Sequence, residues 1–146
     1  MTPPEARLAP PPAPITHVAL TVSDLERSIE WYTALFGVAP GFVGEFLAGT
    51  EHHYRAAVWR TPNLGLHCFA DKAAGRFDAR RVGLDHLALD CESVEALNTW
   101  VAHLDALGVE HGEILTENYG VGLAFSDPDG IALELFVPVR RPKPAS

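Results

Sequence analysis

The sequence predicts an α+β fold built from two similar βαβββ modules that follow one another along the chain. The first observation is a repeated pattern, because residues 15–24 and 84–93 both read as a strand that runs into a helix cap. Each copy has a histidine in the same place, His17 in the first and His86 in the second. The second observation is that each copy is followed by a helical apolar period and then by three short alternating runs.

The composition is that of an ordinary globular protein and restricts its function. The chain has 146 residues, of which 47% are hydrophobic and 21% charged, enough for a core without disulfides. A formal charge of -8 argues against a nucleic-acid groove, which needs clustered lysine and arginine. Residues 1–14 lack the order of a signal peptide, and no apolar run approaches the roughly 20 residues that span a bilayer. With only two cysteines, Cys68 and Cys91, we expect a cytoplasmic protein with no membrane partner.

The first module is expected over residues 15–70 and begins with a strand at 15–22, where β-branched residues alternate. Ser23 is predicted to cap the helix that follows, with Glu26 completing a capping box and Gly37 ending the helix. The buried stripe of this helix is predicted to be Leu25, Ile29, Tyr32 and Phe36. Three further strands are predicted over residues 41–48, 53–60 and 64–70.

The second module is expected over residues 84–137 and repeats this order. A strand at 84–91 leads into a helix that Ser93 caps and Gly108 ends. Further strands are predicted over residues 109–115, 121–126 and 131–137. The proline and glycine of residues 127–130 favour a type I turn between the last two strands. The remaining segments are predicted to be a proline-rich tail at 1–14, a linker at 71–83 and a second tail at 138–146.

Alternation along the strands places four potential metal ligands on open faces of the modules. A strand sends successive side chains to opposite faces, and the helix of each module covers only one of them. In the first strands the apolar side chains point toward the helix, whereas His17 and His86 point away. In the last strands His67 aligns with Glu134 when the halves are superposed, and both point away from the helix. The sequence therefore predicts that His17 and His86 occupy equivalent places in the two modules, and that His67 and Glu134 do so as well.

The chain resembles the vicinal oxygen chelate superfamily, which includes glyoxalase I, fosfomycin-resistance transferases, methylmalonyl-CoA epimerase and extradiol dioxygenases. The resemblance covers about residues 15–137. The motifs that carry it are residues 17–24, Ser28, Trp31, Tyr32, residues 127–130 and Glu134. It implies that the two modules form a cupped mixed and antiparallel sheet around one divalent metal ion.

Carried over position by position, the resemblance implies His17, His67, His86 and Glu134 as metal ligands. Imidazole and carboxylate suit Zn, Fe, Ni, Co or Mn. Such a set leaves open positions for two substrate oxygens, which the metal polarises as a Lewis acid. We therefore expect a metal-dependent lyase, isomerase or epimerase that acts on a small oxygenated metabolite. Glu134 is expected to be a ligand and also the catalytic base.

Two other functions stay open at this point. Glyoxalase I carries a carboxylate where this chain has His67, which leaves Glu134 as the one carboxylate of the set. Extradiol Fe(II) dioxygenases use two histidines and one glutamate, which His17, His86 and Glu134 would provide, although Ala124 replaces their signature tyrosine. The third function is a non-catalytic binding protein similar to bleomycin resistance proteins, which usually lack the metal residues.

Other residues are interpreted from the same alternation. Arg55 and Trp59 share a predicted strand face with His53 and are expected to line the cup. Tyr119, in the loop before the seventh strand, is expected to gate it. The two cysteines are expected to pack against the helices. The core or exposed residues are predicted to be Trp31, Trp100, His52, His53, His103 and His111.

The predicted partners are a small-molecule substrate and a second copy of the chain. A homodimer is expected because exposed module edges need cover. The cup is formed either by the two modules of one chain or by module one of one chain and module two of another. The sequence is compatible with both arrangements.

Overall fold

The computed structural model describes residues 10–70 and 75–140. These residues form eight strands and two helices in the order β1, α1, β2, β3, β4, β5, α2, β6, β7, β8. The first half contains β1 (Val18–Thr21), α1 (Leu25–Phe36), β2 (Phe42–Phe46), β3 (Tyr54–Trp59) and β4 (Leu64–Phe69). The second half contains β5 (Leu87–Asp90), α2 (Val94–Ala106), β6 (Leu115–Glu117), β7 (Gly120–Ser126) and β8 (Ala132–Pro138).

Each half of the chain forms its own four-stranded mixed sheet. The strand order is β1-β4-β3-β2 in the first sheet and β5-β8-β7-β6 in the second. In both sheets the first strand pairs in parallel with the last, and the other neighbours are antiparallel. The predicted tandem βαβββ fold is therefore confirmed. Within the described chain, β1 and β5 each stand at one end of their sheet, with the outer edge unpaired.

The two helices begin and end by local capping chemistry. Asp24 is the N-cap of α1, because its carboxylate accepts a hydrogen bond from the amide three residues later at 3.1 Å. The prediction that Ser23 caps α1 is wrong, since Ser23 donates its amide and hydroxyl to Asp129 of the second module. Ser93 caps α2 as predicted, with a 3.1 Å hydrogen bond. Gly37 ends α1 at a φ of 70°, a conformation that favours glycine.

One hydrophobic core is shared by both modules and lies on the helix side of the sheets. Tyr32 and Leu35 of α1 and Leu97 and Leu104 of α2 are fully buried in it. The strand residues that complete it include Leu20, Leu64, Leu66, Leu123, Leu133 and Leu135. Cys91 is buried and Cys68 packs against the same cluster, as predicted.

Helix α1 is joined to the second module by the β7–β8 turn. The Gly130 amide donates to the Asp127 carbonyl at 2.9 Å, which confirms the tight turn. The buried Asp127 carboxylate accepts hydrogen bonds from the Tyr32 hydroxyl at 2.9 Å and from the amides of Asp129 and Ile131 at 2.9 and 2.8 Å. These contacts between the modules use a helix and a turn, so they leave the face opposite each helix free to line a site.

The predicted strand over residues 109–115 is wrong. The sixth strand is Leu115–Glu117, and the residues before it make one isolated bridge, at His111. The imidazole of His111 is bonded to Asp105 at 2.8 Å, which ties this segment to the end of α2. His111 bridges Phe125 of β7, but four positions separate His111 from Leu115 while only three separate Phe125 from Gly122, so the ladder along β7 is interrupted between the two pairings.

Some predicted segments lie outside the described residues, namely residues 1–9 of the first tail, residues 71–74 of the linker and residues 141–146 of the second tail. The described parts, residues 10–14 and 75–83, contain neither helix nor strand. Neither helix of the described chain has the length and apolarity to cross a membrane.

Candidate metal centre

His17 and His67 lie on the first sheet. His17 directly precedes β1 and is exposed, and His67 is a half-buried residue of β4. The imidazole of His67 stacks on Tyr54, with the ring centroids 4.5 Å apart and the planes at 15°. Burial lowers the pKa of His67 below its ordinary value, and the nearby His17 lowers it further. A lowered pKa favours the neutral imidazole, which is the form that binds metal ions.

His86 and Glu134 lie on the second sheet and line one cavity of about 190 Å³. His86 directly precedes β5, and its side chain is 47% exposed. Glu134 is a half-buried residue of β8 whose strand neighbours are Ala88 and Ala124. A side chain added at Gly122 would meet the Glu134 Cδ at 3.3 Å. The small residues around Glu134 therefore leave its carboxylate uncovered on the open face.

A hydrogen bond orients the imidazole of each first-strand histidine. The Thr16 hydroxyl lies 2.9 Å from Nδ1 of His17, and the Asp85 carboxylate lies 2.6 Å from Nδ1 of His86. A carboxylate can only accept, so Nδ1 of His86 is the donor and Nε2 is left with a free lone pair. Metal-binding histidines are held in this way, with the second ring nitrogen bonded to an oxygen. Sequence reasoning missed Thr16 and Asp85, although each precedes a repeated histidine and has a side-chain oxygen.

The strand register shows that His67 and Glu134 are not equivalent. The Cα of Ala19 pairs with Gly65, and the Cα of Ala88 pairs with Glu134. Because Ala19 and Ala88 each follow a first-strand histidine by two residues, Glu134 corresponds to Gly65. His67 lies two residues further along, so the prediction of equivalent places is wrong for this pair.

The imidazole of His67 nevertheless lies beside the vacant position at Gly65. A Cβ added to Gly65 would meet Nε2 of His67 at 3.8 Å. The glycine therefore leaves space into which the imidazole of His67 projects. Whether His67 binds the metal stays a prediction.

The four predicted ligands form two pairs on two different sheets. Within residues 10–70 and 75–140, no three histidine, cysteine, aspartate or glutamate side chains form a group able to hold a metal ion. His17 and His67 belong to one sheet, and His86 and Glu134 share the cavity of the other. Each module thus contributes half of the predicted ligand set.

The prediction that Arg55 and Trp59 line the cup is wrong. Trp59 is a core residue with 1% exposure, and its indole nitrogen donates to the Val38 carbonyl at 2.9 Å. Arg55 points to the helix side and forms an ion pair with Glu26 of α1. Tyr54, which lies between His53 and Arg55 in the sequence, is on the open face instead, because its ring stacks on His67.

The remaining candidate residues have structural contacts. His103 of α2 lies 3.1 and 3.0 Å from the carbonyls of Ala34 and Leu35, at the end of α1. His52 is exposed beside Glu51, as predicted. Tyr119 is 67% exposed and stacks on Phe136, with the centroids 5.8 Å apart. It therefore lies at the rim of the cavity that holds His86 and Glu134.

Comparison with known proteins gives one family. The model of the Glyoxalase/Bleomycin resistance protein/Dioxygenase superfamily matches residues 14–135. The glyoxylase/bleomycin resistance protein/dioxygenase domain from Frankia sp. EAN1pec is 29% identical in sequence, with a TM-score of 0.67 over 87% of this chain and 98% of that chain. No curated protein is similar enough to the chain to count as a relative.

Two more distant solved structures share the fold. One is a mutant of the fosfomycin resistance protein FosX from Listeria monocytogenes, complexed with Mn(II) and 1S,2S-dihydroxypropylphosphonic acid. It is 17% identical, with a TM-score of 0.63 over 87% of this chain and 94% of that chain. The other is lactoylglutathione lyase from Agrobacterium tumefaciens, 20% identical, with a TM-score of 0.58 over 88% of this chain and 96% of that chain.

Proposed function

Because the chain belongs to the glyoxalase/bleomycin resistance protein/dioxygenase superfamily, we propose that it is a metal-dependent enzyme of lyase or isomerase type. Its substrate is a small oxygenated metabolite. The observation that carries the proposal is the pair of hydrogen bonds at Nδ1 of His17 and His86. The Asp85 carboxylate fixes the proton of His86 on Nδ1, and the Thr16 hydroxyl occupies Nδ1 of His17, so Nε2 is the ring nitrogen that neither bond uses, as in ligand histidines.

The residues present fit a divalent ion of the first transition series or zinc. His17, His86 and Glu134 are the proposed ligands, with His67 as a fourth candidate. Imidazole and carboxylate together suit Zn, Fe, Ni, Co or Mn. Such an ion, when bound, polarises two substrate oxygens as a Lewis acid. The solved FosX complex contains Mn(II), which supports an ion of this class in the shared fold.

The chain's own side chains supply positioning and proton transfer. The carboxylate of Glu134 is flanked by Gly122 and Ala124, so a substrate can approach it from the open face. An uncovered carboxylate beside a metal-bound substrate is placed to accept a proton from the adjacent carbon. The neutral imidazole of His67 is a hydrogen-bond partner for a substrate oxygen.

We propose further that two chains complete each site. The pair of His17 and His67 and the pair of His86 and Glu134 lie on separate sheets, and the modules meet through α1 and the β7–β8 turn. The outer edges of β1 and β5 are unpaired within the described residues, and Ala19, Thr21, Ala88 and Asp90 on their open faces are exposed, so a second copy can reach both strands. In the dimer, the first module of one chain faces the second module of the other.

Elemental analysis of protein purified without chelators tests the metal site. We expect about one transition-metal ion per chain in the wild type. His17→Ala and Glu134→Ala should lose the ion while circular dichroism shows the fold intact, whereas His52→Ala, at an exposed histidine, should keep it. A wild-type protein without stoichiometric metal, or variants that retain it, would refute the proposal. Methylglyoxal with glutathione is the first substrate to assay.

A ring-cleaving Fe(II) dioxygenase is the second candidate function. The register favours it specifically, because β4 has Gly65 at the position equivalent to Glu134. This leaves His17, His86 and Glu134, the two-histidine, one-carboxylate set of such iron enzymes. Iron in the purified protein together with catechol-dependent oxygen uptake would place this function first.

A further inference from the structure

Four aromatic side chains form a continuous row on the open face of the first sheet. We define the aromatic wall as Phe42, Phe46, Tyr54 and Phe69. Phe46 stacks on Tyr54 with centroids 5.1 Å apart and planes at 17°. Phe42 lies 5.8 Å from Phe46, and Phe69 lies 5.7 Å from Tyr54. The row ends at His67, which stacks on Tyr54, so the wall leads directly to the proposed metal centre.

The aromatic wall is not part of the hydrophobic core. The core lies on the helix side of the sheet, and it includes none of the four rings. Phe42 is 50% exposed and Phe46 is 37% exposed. Contiguous exposed aromatic surface rimmed by polar groups is typical of a binding site. The wall is therefore a surface on which a ligand can lie.

The second module has aromatic side chains beside its half of the metal centre as well. Phe136 follows Glu134 on the same face of β8, and Tyr119 stacks on it. Gly122 leaves space beside Glu134 and Phe136, because an added Cβ would lie 3.4 Å both from Oε1 of Glu134 and from the Phe136 ring. Both halves of the centre thus place an aromatic ring next to a proposed ligand.

The charge of the strands disfavours an anionic substrate. In the described strands, Arg55 is the sole arginine or lysine, and it points to the helix side, where it binds Glu26. Two further arginines near the second sheet are also paired, Arg27 with Asp129 and Arg140 with Asp90, although Arg27 is half exposed and lines a second cavity together with His86 and Glu134. Phosphonate and carboxylate groups are usually bound by arginine or lysine. The open face of the first sheet, where the aromatic wall lies, therefore offers such a group no cation from the strands.

We propose that the substrate presents an uncharged planar aromatic group to the aromatic wall while its oxygen atoms meet the metal ion. This inference rests on the proposed metal centre, since the wall is positioned by its contact with His67. Stacking of a ligand ring on Tyr54 or Phe46 repeats the geometry that these two side chains already adopt. The aromatic ring of the substrate would then determine which chelating molecules bind best, because the metal-binding oxygen atoms are common to all of them.

Three hydroxamates with the same metal-binding head test this inference on the metal-loaded protein. Benzohydroxamate carries a phenyl ring, acetohydroxamate a methyl group, and phosphonoacetohydroxamate an anionic phosphonate. By calorimetry we expect benzohydroxamate to bind about tenfold more tightly than acetohydroxamate, because aromatic stacking adds to area burial. Phosphonoacetohydroxamate should bind no more tightly than acetohydroxamate. Equal binding of the first two, or tightest binding of the phosphonate, would overturn the inference and leave the metal centre standing.

A matched pair of variants locates the effect. Phe46→Leu, on the open face, should lower the ratio of benzohydroxamate to acetohydroxamate affinity about threefold. Val43→Ala, 49% exposed on the opposite face of the same strand, should leave the ratio unchanged. An unchanged ratio in Phe46→Leu would show that the ring binds elsewhere. Failure of all three hydroxamates to bind the metal-loaded wild type would instead refute the proposed function.

Discussion

The residue before His17 and the residue before His86 each form a hydrogen bond with Nδ1 of the histidine and leave Nε2 as the unbonded ring nitrogen. Asp85 accepts from Nδ1 of His86, and Thr16 is bonded to Nδ1 of His17. Both residues are exposed, so their side chains contribute little to the core. Their effect is on the tautomer and orientation of the imidazole, which controls how well Nε2 donates its lone pair.

Asp85→Ala is expected to weaken metal binding about 10- to 100-fold, the usual effect of removing such a partner. The free energy of unfolding of the metal-free protein should stay within about 0.5 kcal/mol of the wild type, because the Asp85 side chain is 77% exposed. Competition with a colorimetric chelator measures the affinity. Glu92→Ala removes another exposed carboxylate of the same module and is the control. If both variants lost the same metal affinity, the loss would be explained by the change in net charge and not by the hydrogen bond to His86.

The positions of His17 and His86 directly before β1 and β5 could be predicted from the sequence, whereas the register position of His67 could not. The histidines stand in a repeated local pattern that needs no distant information. His67 was aligned with Glu134 through apolar neighbours, and a shift of two residues keeps every side chain on the same face. Alternation therefore identified the correct face but could not identify the register. Only the pairing of Ala88 with Glu134 and of Ala19 with Gly65 resolves it.

At the scale of elements, α1 and the β7–β8 turn form the main polar link between the modules. Asp127 is buried, and burial raises the pKa of its carboxyl above the ordinary value, although its three hydrogen bonds oppose that rise. The pKa of the Tyr32 hydroxyl is raised far above its ordinary value, first by burial and then by the charge of Asp127. Tyr32 therefore remains a protonated donor throughout the neutral range.

Tyr32→Phe should lower the free energy of unfolding by about 2 kcal/mol at pH 8, because it leaves a buried carboxylate short of a donor. The folded-state pKa of Tyr32 is raised, so its contribution is full below the unfolded value of about 10 and is lost as pH rises above it. The difference in the free energy of unfolding between the wild type and the variant should therefore shrink between about pH 9 and 11. Urea titrations at each pH measure it, and Tyr119→Phe, 67% exposed, should show no such trend. A gap that stays constant would contradict this assignment.

The sequence predicted the type and order of the helices and strands better than it predicted the contacts between them. The order of strands and helices, the Ser93 cap and the turn at Asp127 depend on neighbours in the chain, so local chemistry predicted them. Ser23 failed as a cap because its partner, Asp129, lies in the other module. The sixth strand is shorter than the sequence predicts because the register along β7 shifts by one residue between His111 and Leu115. In both cases a pairing with another part of the chain, which the local pattern does not contain, decides the outcome.

At the scale of the whole molecule, the proposed site is divided between two chains, and mixing of variants tests this. His17→Ala protein lacks one half of the ligand set, and Glu134→Ala protein lacks the other. After joint unfolding and refolding, about half of the dimers should be mixed, and one of the two sites in each mixed dimer is intact. Metal content should therefore recover to about a quarter of the wild-type value. No recovery would show that the two modules of one chain form each site.

In the proposed dimer, the unpaired edges of β1 and β5 would make metal binding depend on protein concentration. An edge strand attracts any chain that can extend the sheet, so a closed dimer would protect the molecule from aggregation while it assembles the proposed centre. If the metal ion binds only the paired form, it favours pairing by mass action. Dilution and chelation should then act alike, since each releases single chains with exposed edges. Sedimentation at falling concentration, with and without a chelator, would reveal this coupling as a shift in the dimer midpoint.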